Sequence, residues 1–285
     1  MDRRTFLAAS GLCLAGGALA RAASEPPFAE LEADLGGRVG VMAIDTAGGS
    51  ELSHRADERF AMCSTFKWLL AAFVLSQVDQ DEVALDERLS YGPEDLLEYA
   101  PVARKHVDTG WLSVETLCRA AVTISDNTAA NLLLHRTGGP AELTAFLRQC
   151  GDSVTRLDRN EPSLNTNIPG DERDTTTPRA MAETMDAILL GDDVLSSVSR
   201  ERLIRWLKET ATGLERLRAG LPADWSAGDK TGTGANGAAN DVAIAWPPGR
   251  NPVLIASYLS GSTASPGTLN QAHARIAAAV ARHMA

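Results

Sequence analysis

The sequence predicts an α+β protein: an antiparallel sheet of about five strands, formed from both ends of the chain and flanked by helices, with an all-helical region inserted between. Strand-like alternation occurs at residues 38–53 and again at 229–259, helix-length apolar runs fill the interval, and no repeat or Pro/Ser-rich linker divides the chain. Val39, Val41 and Ala43 alternate with smaller residues, and Gly48-Gly49 turns the chain toward Glu51-Leu52-Ser53 in a hairpin pattern. Residues 66–78 are nearly all apolar at helical length, as a buried central helix would be. Ser113 is placed to cap a helix reaching Thr123, a second spans 127–135, and Gly138-Gly139-Pro140 stops it and starts a third. That third helix sets Leu143, Phe146 and Leu147 on one face and ends at Gly151. Residues 156–174 are polar and Pro-interrupted with no apolar period, a length of loop that in a compact protein points to function. Helices follow at 178–190, capped by Thr177, and at 197–208. Strands return at 229–233, 241–246 and 252–259, and a last helix, 268–283, carries Ile276 and Val280 on a face suited to the sheet. The expected division is a sheet unit of residues 23–58 and 209–285 and an all-α unit of residues 59–208, with a ligand cleft between them.

The 285 residues, 44% hydrophobic and 22% charged, suffice for a sizeable core. With 37 acidic against 27 basic residues and no dense Lys/Arg cluster beyond the first few positions, a nucleic-acid partner is excluded. Four Cys without C-x-x-C and five scattered His without H-x-H or H-E-x-x-H carry no zinc signature, so no metal or other cofactor is expected.

Residues 1–22 read as a secretory signal: Asp2-Arg3-Arg4, a short apolar run, then Ala20-Arg21-Ala22 as a cleavage site. The Arg pair followed by Phe6-Leu7 resembles a twin-arginine export signal, with an ordinary Sec signal as the alternative. Cys13 is a poor lipidation site because Leu12 precedes it where a small residue is wanted. Removal of the signal leaves a more acidic chain with Cys63, Cys118 and Cys150, an odd number in which at least one thiol is free or intermolecular. Cys118 and Cys150 read as small buried hydrophobes. No later apolar stretch approaches 18 uncharged residues, so no membrane association is expected after export, and a periplasmic monomer is the expected state.

Three motifs carry chemistry. Ser64-Thr65-Phe66-Lys67 opens the most apolar helix, which puts Ser64 at the positive end of the dipole and Lys67 one turn on, able to take the Ser64 proton if burial removes its charge. Alone this is also a plain helix cap with a snorkelling lysine. Ser125-Asp126-Asn127 lies between two helical runs and offers a hydroxyl and an amide. Lys230-Thr231-Gly232 lies on a strand, where Gly lets a ligand approach the backbone. The signal is their co-occurrence, 61 and 105 residues apart.

The set resembles the penicillin-recognising serine enzymes, and a fourth segment narrows the resemblance to class A β-lactamases. Glu161 and Asn165, within Arg159-Asn160-Glu161-Pro162-Ser163-Leu164-Asn165, resemble that group's E-x-x-x-N element, with Arg159 and Asp174 placed like its loop-closing ion pair. The resemblance covers essentially the whole mature chain and implies hydrolysis of β-lactam antibiotics through an acyl-enzyme on Ser64. It implies Ser64, Lys67, Ser125 and Glu161 as catalytic residues, Glu161 and Asn165 preparing the hydrolytic water, and Asn127, Lys230, Thr231, Gly232, Thr233 and Arg216 as substrate-binding. Tyr99 stands where the family has an aromatic wall beside the cleft. Gly234 replaces the Cys that pairs with Cys63 in the carbapenem-hydrolysing group, and Asn240 is read as standing where many members carry an Arg, its role passing to Arg216. A D,D-peptidase, a β-lactam sensor and an S-x-x-K esterase share some motifs. The first predicts a long-lived penicillin adduct, the second an attached transmembrane or DNA-binding segment, and the third leaves Glu161 with Asn165 unexplained.

Overall fold

The computed structural model describes residues 28–284, so the signal segment 1–22 with its arginines and Cys13 lies outside the described residues. The sheet has five antiparallel strands: β1 (Arg38–Asp45), β2 (Glu51–His54), β7 (Ser226–Thr233), β8 (Ala239–Trp246) and β9 (Val253–Ser260), in the order β2-β1-β9-β8-β7. Four shorter strands form two ribbons: β3 (Phe60–Ala61) with β6 (Thr175–Thr176), and β4 (Arg88–Ser90) with β5 (Trp111–Ser113). The register Val41↔Ser257 places strands from the two ends of the chain side by side, and Ala243↔Ile255 and Thr231↔Asp241 carry the sheet on to β7.

The period-2 pattern decides which side chain faces which layer. On β9, Val253, Ile255 and Leu259 pack with α1 (Phe28–Leu35) and α10 (Pro266–His283), whereas Leu254, Ala256 and Tyr258 join the core of the remaining helices. Both faces are covered, so β9 is buried along its whole length. On the second face lie α2 (Phe66–Asp79), α3 (Pro101–Lys105), α4 (Val114–Thr123), α5 (Asn127–Arg136), α6 (Pro140–Gln149), α7 (Pro178–Leu189) and α8 (Ser197–Lys208), and the short α9 (Leu217–Gly220) joins the first layer through Leu217. Helix α2 is buried from Phe66 to Ser76 on every side, which accounts for the absence of an amphipathic pattern in it. Ser113, Thr177 and Ser196 accept from the backbone N–H three residues on, fixing the starts of α4, α7 and α8. None of the described helices is long and apolar enough to cross a membrane.

Helix α1 is an addition to the sequence reading. Phe28, Leu31 and Leu35 bury one stripe against the sheet, and Glu32 accepts from Val39 N–H and Arg55, which pulls its carboxyl down to about 2. The cysteines need one correction. Cys63, Cys118 and Cys150 form no disulfide among the described residues, and Cys118 is buried, but Cys150, at the end of α6, is only partly covered.

Candidate active site

Ser64 sits in a 3-10 turn, Cys63–Thr65, that runs directly into α2, and Cys63 before it takes a left-handed φ of 46°. One turn on, Lys67 is wholly buried. Its Nζ donates to Glu161 Oε1 (2.9 Å), the Ser125 carbonyl (2.9 Å) and Asn127 Oδ1 (2.5 Å), and lies 3.3 Å from Ser125 Oγ. Burial pushes the Lys67 ammonium below its ordinary pKa, against the pull of the Glu161 carboxylate. Ser64 Oγ donates to the same Glu161 Oε1 at 3.3 Å. The nucleophile candidate and its lysine thus converge on one carboxylate oxygen.

Glu161 is held there by the polar loop. Asn131, four residues after Asn127 on α5, clamps its backbone, donating to the Glu161 carbonyl (2.9 Å) and accepting its N–H (3.0 Å). Asn165 Nδ2 donates to Glu161 Oε2 (2.5 Å), and Asn165 Oδ1 is buried with no partner among the described residues. Arg159 Nε meets Asp174 Oδ2 at 2.5 Å, while Asp174 Oδ1 accepts the N–H groups of Asp158 and Arg159, closing the loop. Asn167 and Asn236 exchange side-chain amides with each other's backbone, and Ala235 N–H donates to Asn165 O, which ties the loop to the β7–β8 turn.

Ser125 adopts φ 63°, and the buried Asp126 beside it is the anchor of its motif, accepting from Ala129 N–H as the cap of α5 and from the N–H groups of Val102 and Ala103. Ser125 Oγ thereby stands between Lys67 and Lys230, whose Nζ donates to it at 3.1 Å. Burial, reinforced by the Lys67 charge, lowers the pKa of Lys230 to about 7. Arg216, at the start of α9, donates through Nη2 to Thr233 Oγ1 (2.7 Å), through Nη1 to the carbonyls of Gly232 and Asn240, and through Nε to Asn270 Oδ1 (2.9 Å).

Ser64, Tyr99, Ser125, Asn127, Asn165, Thr212, Arg216, Thr231 and Thr233 line a cleft of about 310 Å³, with Lys67, Lys230 and Glu161 buried behind it. Gly232 does not line it. A Cβ there would lie 2.6 Å from Met62 O and 3.2 Å from the Cys63 Cβ, so the missing side chain serves the approach of β7 to the nucleophile turn rather than the approach of a ligand. Asn240 also faces away, donating to the carbonyls of Ala61 and Met62, because alternate residues of β8 point to opposite faces. Its neighbour Ala239 packs with Leu217 on the side from which Arg216 enters. Gly234 leaves no room for a larger residue, since its Cβ would fall 2.7 Å from Cys63 Sγ, and burial holds that thiol up at about 12. A larger cavity of about 480 Å³ lies under the far side of the polar loop, and Arg38, Arg159 and Arg173 around it are already paired with carboxylates. Sequence reasoning missed Thr212 and Asn131. The second was detectable as an amide one helical turn from Asn127, the first only from the fold.

A family model described as the β-lactamase enzyme family matches residues 25–284. The chain belongs to that family. Relatives agree: β-lactamase AST-1 of Nocardia asteroides is 52% identical over 235 residues, covering 82% of this chain and 75% of that protein. The carbapenem-hydrolyzing β-lactamase KPC of Klebsiella oxytoca is 50% identical over 233 residues, 81% of this chain and 79% of that one. Among solved structures, an ancestral (GNCA) class A β-lactamase is 55% identical with a TM-score of 0.89, covering 91% of this chain and 99% of its own. The last common ancestor of Gram-negative bacteria (GNCA4) class A β-lactamase is 57% identical with a TM-score of 0.89, covering 90% and 98%. The protein is a class A β-lactamase, an enzyme that hydrolyses β-lactams and so confers resistance to them.

Proposed function

We propose that this β-lactamase works through an acyl-enzyme on Ser64, deacylated by water that Glu161 activates. The observation that carries this reading is the meeting of Ser64 Oγ and Lys67 Nζ on Glu161 Oε1 beside the cleft. Ser64 Oγ attacks the lactam carbonyl carbon as its proton passes to Glu161, and the electron pair moves onto the carbonyl oxygen. Backbone N–H groups of Ser64 and Thr233 hold that oxyanion, each worth about 3–4 kcal/mol. When the oxyanion collapses and the C–N bond breaks, Ser125 gives its proton to the nitrogen and takes one from Lys67, and Lys67 recovers the Ser64 proton from Glu161, which leaves Glu161 a carboxylate again. Asn165 Oδ1, without a partner among the described residues, and the Glu161 carboxylate then hold the water; Glu161 takes its proton as its oxygen attacks the ester carbonyl, and the acyl C–O bond to Ser64 breaks as that proton passes to Ser64 Oγ. Asn127 holds the substrate's side-chain amide, and Tyr99, half-exposed at the rim, forms an apolar wall. Lys230, Thr231, Thr233 and Arg216 bind the substrate carboxylate. Gly232, turned toward Met62, enters only by letting that strand come close.

Kinetics of the mature protein on a penicillin, a cephalosporin and a carbapenem test the reading against Ser64→Ala. Turnover of at least one class is expected, with neither turnover nor adduct in the variant; hydrolysis by Ser64→Ala overturns it. A long-lived adduct on the unmodified protein instead points to a D,D-peptidase.

The pH dependence follows from Lys230. Its pKa of about 7 lies below the ordinary 10.5, so the charged form that attracts a carboxylate dominates below pH 7 and is lost above it. KM for an anionic β-lactam is therefore expected to climb between pH 7 and 9, approaching tenfold per unit at the alkaline end. A KM flat across that range overturns the assignment of Lys230.

The two units expected from the sequence, residues 23–58 with 209–285 and residues 59–208, fit the placement of this cleft, with Ser64, Ser125 and Glu161 from the helical unit and Lys230 and Arg216 from the sheet unit. We further propose export to the periplasm through residues 1–22 and a monomeric state.

A further inference from the structure

We propose that Thr212 is a positioning residue for the substrate carboxylate: its hydroxyl donates to Thr231 Oγ1 and so leaves the Thr231 proton to point at the anion. The inference rests on the assignment of Thr231, Thr233 and Arg216 as the carboxylate site. The Thr212 and Thr231 hydroxyl oxygens lie 2.7 Å apart, and both residues line the cleft. A hydroxyl has one proton to give and two places to accept, so one member of such a pair donates and the other receives.

Thr233, two residues along β7 and on the same side of the strand, shows the pattern already settled. Its Oγ1 accepts from Arg216 Nη2 at 2.7 Å, and because a guanidinium can only donate, the Thr233 proton is left over for the cleft. Thr212 stands to Thr231 as Arg216 stands to Thr233. With an anion in the cleft, the order Thr212 O–H to Thr231 O–H to carboxylate is the arrangement in which each proton points toward the negative charge, and each bond polarises the next.

The segment has little freedom to offer anything else. Ala211 N–H donates to Thr123 O at 3.0 Å, and Arg216 N–H donates to Gly213 O at 3.0 Å. A Cβ on Gly213 would lie 1.8 Å from Asp229 Oδ2, so the loop rests directly on β7. Residues 211–216 therefore present a hydroxyl and a guanidinium, four residues apart, to two threonines two residues apart.

Thr212→Val keeps the β-branched shape and deletes the hydroxyl. KM for a penicillin bearing a free carboxylate is expected to rise about 3- to 10-fold, the span of one hydrogen bond of this kind, with the loss falling on KM rather than kcat. Thr212→Ser is expected to restore it. On the methyl ester of the same penicillin, Thr212→Val and the unmodified enzyme should have equal kcat/KM. An equal loss on acid and ester, or no loss on the acid, overturns the positioning role. Thr231→Val run alongside separates the two failures. If it raises KM for the acid and Thr212→Val does not, only the role of Thr212 falls; if Thr231→Val also leaves KM unchanged, the carboxylate-site assignment falls with it.

Discussion

Glu161→Gln slows deacylation by about 10²- to 10⁴-fold, the range of a positioned general base. Mass spectrometry of the mature variant mixed with a penicillin is expected to find one covalent equivalent on Ser64, persisting long after the same adduct has left the unmodified enzyme. Acylation survives because of where Lys67 sits. Burial lowers its pKa while the Glu161 carboxylate raises it, so removing the carboxylate drives Lys67 further toward its neutral form. It then becomes competent to take the Ser64 proton. Glutamine keeps the shape that Asn165 and Asn131 grip, so the loop remains in place. Undiminished turnover with no adduct would remove Glu161 from the mechanism.

The second large effect comes from the other half of the same pair. The side chains of Lys67 and Glu161 are both 0% exposed and meet at 2.9 Å. Lys67→Met strands the carboxylate, and breaking a buried pair in this way costs about 3–5 kcal/mol of stability. Acylation also falls, by about 10²- to 10⁴-fold, because Ser125 loses the lysine that restores the proton it gives to the lactam nitrogen. The double variant Lys67→Met, Glu161→Gln buries neither charge, so denaturant unfolding should show most of the stability returning while activity stays lost. If the double variant is no more stable than Lys67→Met alone, the loss is one of packing and the charge argument fails. A linked effect separates electrostatics from shape: the Lys67 charge depresses Lys230, so in Lys67→Met the Lys230 titration moves to higher pH.

Most of the sheet and the long helices were legible in the sequence because period-2 and continuous apolar runs are direct consequences of two covered faces. Helix α1 escaped notice although Phe28, Leu31 and Leu35 carry helical spacing, because eight residues beside a signal segment make a weak pattern. The ribbons β3–β6 and β4–β5, two and three residues long, have no period to read. At the site, motif residues were found because their chemistry demands particular side chains. Gly232 and Asn240 were misread because spacing along a strand does not say which neighbour fills the space beside it, and here that neighbour is the Met62 backbone. Thr212 sits in no motif, and its meeting with Thr231 depends wholly on how the segment after α8 lies across β7.

The position of β7 has a further meaning. It is the outermost strand of its sheet, and an unpaired outer strand is a template on which a second chain can add itself. In this enzyme Lys230 Nζ occupies the Thr231 carbonyl, and the Met62 backbone presses against the same stretch. The lysine placed beside an anionic drug therefore also fills part of that edge. A variant that trades Lys230 for a roomier cleft therefore also bares the Thr231 carbonyl on the outer edge of the sheet.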